Sequence, residues 1–148
     1  MSIKSDVQQA LKEAMKTKDA TRLDVLRLAK AALLLKEKAG PKTEELTDED
    51  AVQALRGEVR KRQQSIETYR EMGKDDEVAK LENEIAVLEE FLPKQLSEAQ
   101  LEERVRAYLA EHPDVTHPGK LTGALKKELG DQADGKTLND VCRRVLEA

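Results

Sequence analysis

The chain predicts an all-α fold, with a four-helix N-terminal part followed by a small three-helix C-terminal domain. Three observations carry that expectation. Apolar residues recur at spacings of three and four along nearly all of the 148 residues. Leu, Ala, Glu, Lys and Gln, the strong helix formers, recur throughout. Aromatic side chains shrink to Phe91, Tyr69 and Tyr108, with no Trp, whereas sheets draw on aromatic and β-branched residues.

The first helix follows Ser2 and Ser5, either of which can cap it, and its apolar positions are Val7, Ala10, Leu11, Ala14 and Met15. The second runs from about Ala20 to Lys38. Leu23, Leu26 and Leu33 form one stripe on it; Val25, Leu28, Ala32 and Leu35 form another. A helix apolar on two sides is expected to be buried on two sides, so this one is placed at the centre of the first bundle. Gly40 and Pro41 end it, and Thr43 to Leu46 reads as a polar loop.

Thr47 caps the third helix, with Asp50 in a weak form of the capping box. Val52, Leu55, Val59, Ile66 and Tyr69 trace its stripe to about Met72, and Gly73 stops it. After a short connection, Val78, Leu81, Ile85, Leu88 and Leu92 resume the pattern, so the two helices form an antiparallel hairpin. Pro93 closes it. Ser97, with Gln100 in the box position, opens a helix faced by Leu101, Val105, Tyr108 and Leu109. Two short helices complete the chain, Pro118 to Leu129 and about Gly135 to Leu146. The boundary falls at Pro93, giving an N-terminal helical domain over 1–93 and a C-terminal one over 94–148.

The net charge is −4, from 26 basic and 30 acidic residues. Duplex-binding modules are commonly basic overall, so any nucleic-acid contact must be a local patch. A single cysteine excludes an internal disulfide and makes a poor metal set with His112 and His117. No apolar run reaches the length of a membrane span, and Met1 to Lys12 lacks the apolar core of a signal peptide. The expected location is the cytoplasm.

No catalytic constellation emerges, and no metal or other cofactor is expected. No glycine-rich loop sits between a strand and a helix. Cys142 lies beside the apolar stripe of the last helix, which reads as a half-buried structural thiol. The glutamates sit at helical spacing from Lys and Arg, as solvated helix faces require. Two clusters stand out. Arg56, Arg60, Lys61 and Arg62, with Gln63 and Gln64, form a basic sector on the long helix. Pro118-Gly119-Lys120 and Asp134-Gly135-Lys136 each put a glycine and a lysine at a helix start, where free N–H groups and the dipole favour anions. A solvated face and ordinary capping are the plainer readings of these two clusters.

Lys61-Arg62, Ser65, Tyr69, Gly73-Lys74, Leu81-Glu82 and Phe91-Leu92-Pro93-Lys94-Gln95-Leu96 together resemble the YqeY-like proteins. Gly119-Lys120-Leu121-Thr122-Gly123, then Ala133-Asp134-Gly135-Lys136, are similar to the tail of the B subunit of the tRNA-dependent amidotransferase. Gln132 stands where that pattern has a basic residue, and Thr122 where it often has Met. The resemblance implies two helical domains joined around Pro93. It also implies a tail that helps hold tRNA while other parts of a carbon–nitrogen ligase complex transfer an amide from glutamine.

On that basis the chain is expected to be a non-catalytic accessory protein related to the amidotransferase. The residues expected to contact tRNA are Gly119, Lys120, Gly123, Asp134, Gly135 and Lys136, with Arg60, Lys61 and Arg62 as a second set. The expected partners are tRNA and the amidotransferase or other translation proteins. The alternative is a helical protein-interaction module that does not bind RNA, using apolar positions near Phe91 and Leu96. A free-standing enzyme is the least supported reading.

Overall fold

The computed structural model describes residues 2–40 and 45–148. The expected stop at Pro41, and Thr43 and Glu44 of the expected loop, lie outside the described residues. Among the described residues there are seven α-helices, one 3-10 turn and no strand. They fall into two compact units, Met1–Leu92 and Pro93–Ala148.

The first unit holds α1 (Ile3–Thr17), α2 (Ala20–Ala39), α3 (Asp48–Glu71) and α4 (Asp75–Glu89). Local chemistry sets their starts. Ser2, Asp19 and Thr47 each accept the N–H of the residue three positions on, satisfying one orphan donor per helix. No side chain caps α4, but Asp75, Asp76 and Glu77 fill its first turn, where the dipole favours acids. The α3–α4 turn closes as a Schellman motif. Lys74 N–H donates to Tyr69 O at 2.9 Å and Gly73 N–H to Arg70 O at 3.0 Å. Gly73 sits there at φ 70°, where a side chain would be strained.

The core of this unit joins Val7, Ala10 and Ala14 of α1 with Val25, Leu26, Ala29 and Leu33 of α2. Ala51, Leu55 and Val59 of α3 and Val87 and Leu88 of α4 complete it. All three neighbours of α2 pack on its Val25–Leu33 face. Of the expected second buried stripe, Val25 is buried and Ala32 half-buried, but Leu28 is 50% and Leu35 73% exposed, so the other helices of the unit cover it only in part. Helix α2 is a wall of the bundle, not its centre. Met15 also lies outside the core face of α1. Helix α4 ends three residues before Leu92, and Val87, which the spacing pattern omits, is buried. Phe91 and Leu92 follow the helix and pack on the same core, half-buried.

The second unit holds α5 (Glu98–Glu111), α6 (Pro118–Leu129), a 3-10 turn (Gly130–Gln132) and α7 (Gly135–Glu147). Ser97 and Gln100 form the full reciprocal capping box. Leu101 and Val105 meet Leu121, Leu125 and Leu129 of α6 and Leu138, Val141, Cys142 and Val145 of α7 around buried Ala133. The segment entering the unit is tied to the 3-10 turn. Leu96 N–H donates to Gln132 O at 2.8 Å and the Gln95 amide to Asp131 O at 3.0 Å. Lys126 Nζ closes the same turn by donating to Gly130 O and Ala133 O.

Candidate nucleic-acid interface

No three His, Cys, Asp or Glu side chains of the described residues come together as a metal set. Among the described residues, no buried side-chain polar atom lacks a partner. Cys142 is fully buried; desolvation raises its thiol above the ordinary range, partly offset by a hydrogen bond with Thr122. His112 stacks on Tyr108 with ring centroids 4.3 Å apart. His117 is the N-cap of α6, its Nδ1 accepting Gly119 N–H at 3.1 Å. No helix among the described residues is long and apolar enough to cross a membrane.

The basic run on α3 divides by its position around the helix. Successive residues are about 100° apart, so Arg60, Lys61 and Arg62 cannot share one face. Arg60 and Lys61 are exposed, and Lys61 Nζ pairs with Glu58 at 2.9 Å. Arg62 is 8% exposed and turned into the hairpin. Its Nε donates to Glu84 at 3.0 Å, while Nη1 donates to Glu58 O at 3.0 Å and lies 3.4 Å from the Glu58 carboxylate. Its charge is spent joining α3 to α4.

The two glycine–lysine helix starts also differ. At α7, the Asp134 carboxylate accepts Thr137 N–H at 3.1 Å and the Thr137 hydroxyl at 2.9 Å. It puts a negative charge where a phosphate would dock. At α6 the cap is the imidazole of His117, and Pro118 occupies the first helical position, where it has no N–H to leave unpaired. Lys120 and Gly123 are exposed, as are Gly135 and Lys136 on α7; Asp134 is half-buried.

On α6, Leu121, Leu125 and Leu129 take the core face. Lys120, Gly123 and Lys127 recur at helical spacing on the opposite face, all exposed. The two lysines lie about 10 Å apart along the axis. A Cβ added at Gly123 would meet nothing within 4 Å, so no packing inside the chain requires a glycine there. The matching ridge of α7, Lys136 and Arg143, has Asp140 between them. Lys127 is absent from the set expected from sequence. Its signal was the seven-residue interval from Lys120, two helical turns.

The model of the YqeY-like proteins matches residues 4–146. The chain belongs to the YqeY-like family. The match starts in α1 and ends in α7, so it spans nearly all of both units of this YqeY-like protein. A search of curated proteins finds no match.

Proposed function

We propose that this YqeY-like protein is a non-catalytic accessory of tRNA-dependent amidation that contacts tRNA through its second unit. The supporting observation is the α6 ridge, where Lys120 and Lys127 flank exposed Gly123 with no acid between them. A glycine inside a helix costs about 1 kcal/mol relative to alanine. At Gly123 nothing within the chain uses the missing side chain. A backbone surface bare of Cβ and flanked by cations suits close approach of a phosphate chain. With three aromatic residues in the whole chain, stacking platforms for single strands are lacking, which favours folded tRNA recognised by shape.

The test is binding of whole tRNA to Lys120→Glu and Lys127→Glu beside Lys80→Glu, an exposed lysine of α4. The two ridge variants should each weaken binding several-fold. An equal loss in all three would reduce the interaction to net charge and sink the reading.

The second reading is a protein-interaction module without RNA contact, favoured by the carboxylate of Asp134 at the α7 start. Its expected surface near Phe91 and Leu96 is not open. Both are half-buried and pack on the cores of their own units. The exposed apolar surface lies on α2 instead.

A further inference from the structure

Helix α2 carries an apolar stripe that the other described helices of its unit leave exposed. Leu28 and Leu35 are 50% and 73% exposed, seven residues apart, with exposed Ala31 between them and half-buried Ala32 beside it. A helix apolar on two sides belongs in an environment that covers both. The bundle covers one.

We infer that the second side is covered by another copy of this chain, through antiparallel pairing of α2 with itself across a two-fold axis. The stripe is self-complementary in that arrangement. With the axis between Ala31 and Ala32, Leu28 faces Leu35 of the second copy and Leu35 faces Leu28. The alanines at the crossing point allow the helices to approach closely. One turn beyond the leucines at either end lie Asp24 and Lys38, both exposed. The same register brings each Asp24 alongside the second copy's Lys38, twice by symmetry.

Charge supports this occupant. Two half-buried charges of α2 are paired inside the chain, Arg22 with Glu90 at 2.6 Å and Glu37 with Lys4 at 2.8 Å. Asp24 and Lys38 have no ion-pair partner among the described residues. Opposite signs at opposite ends of an apolar stripe favour an antiparallel copy and penalise a parallel one, in which like charges would meet. This inference stands apart from the RNA reading, since α6 takes no part in it.

Sedimentation of the full chain over a concentration series tests it. The expected result is a reversible monomer–dimer equilibrium. Leu28→Glu and Leu35→Glu should each weaken it by at least about tenfold, by burying a charge in the seam. Both sites are exposed, so thermal melts of these variants should match wild type in the monomer. Asp24→Lys and Lys38→Asp should each weaken the dimer, and the double variant should regain most of the loss because the pair is reversed. A chain that stays monomeric throughout overturns the inference. So does a dimer indifferent to the leucine substitutions, or a double variant no better than the singles.

Discussion

Arg62 of α3 donates to the Glu84 carboxylate of α4 at 3.0 Å, with only 9% and 14% of the two side chains exposed. Glu58 accepts from the same guanidinium one turn back. The hairpin is thus held by a charged link at mid-length as well as by its apolar seam. Removing one partner of a buried pair strands the others. Arg62→Met is expected to cost about 3 kcal/mol in urea unfolding. Arg62→Met with Glu84→Met should recover part of that, because the stranded charge is then gone. Equal losses in the single and double variants would mean that the pair contributes only packing.

The Lys4–Glu37 link gives a pH dependence of defined sign. The Lys4 ammonium, with a smaller contribution from Leu46 N–H, holds the Glu37 carboxyl below its ordinary value. A lowered folded-state value stabilises above the ordinary carboxylate range and loses that contribution as pH falls through the lowered value. The stability gap between wild type and Glu37→Gln should therefore be largest near neutrality and close in acid. A gap constant from pH 7 to about pH 2 would remove Glu37 from the ledger.

Three glycines should respond to alanine in different ways. At Gly57 and Gly123 an added Cβ meets nothing within 4 Å, so alanine should stabilise by about 1 kcal/mol. At Gly119 it would lie 3.0 Å from His117 Cε1 and 3.1 Å from Nδ1, displacing the cap. Gly119→Ala should gain less than Gly123→Ala by about the value of one cap, ~1 kcal/mol. If Gly123 serves tRNA, its alanine variant is more stable yet binds less well. Thermal melts beside binding assays separate the two effects.

Cys142 should be inert in the folded protein. Its side chain is fully buried and its thiol is raised by desolvation, so the reactive thiolate is scarce and screened. Alkylation at neutral pH should track global unfolding in urea. Rapid labelling of the native protein would place the thiol at the surface. Cys142→Ser should retain the fold at a cost of about 1–2 kcal/mol for burying a hydroxyl.

Much of the fold is legible because helix signals are local. Ser97 and Gln100 specify a cap by themselves, and Gly73 marks a turn that takes a left-handed residue. Coverage is not local. The Leu28–Leu35 stripe reports that a face is apolar, but whether this chain buries it depends on where α1, α3 and α4 pack. Arg62 reads as one of a basic run because the carboxylate that draws it into the hairpin, Glu84, lies 22 positions away. The helix starts read as anion sites from glycine and lysine alone. Their difference lies in which side chain caps them, His117 at one and Asp134 at the other. Both cap residues were in view. The choice of Nδ1 as acceptor for Gly119 needed coordinates.

A salt titration of whole-tRNA binding tests most directly whether the α6 ridge meets the phosphates of tRNA, as proposed. Each neutralised phosphate contributes roughly 0.7–0.9 to the slope of log affinity against log salt. Wild type should bind with a steep slope that flattens by about one unit in Lys120→Glu and again in Lys127→Glu. Binding no tighter than that of an unrelated acidic helical protein at ~50 mM salt, or a slope unchanged in both variants, would contradict it.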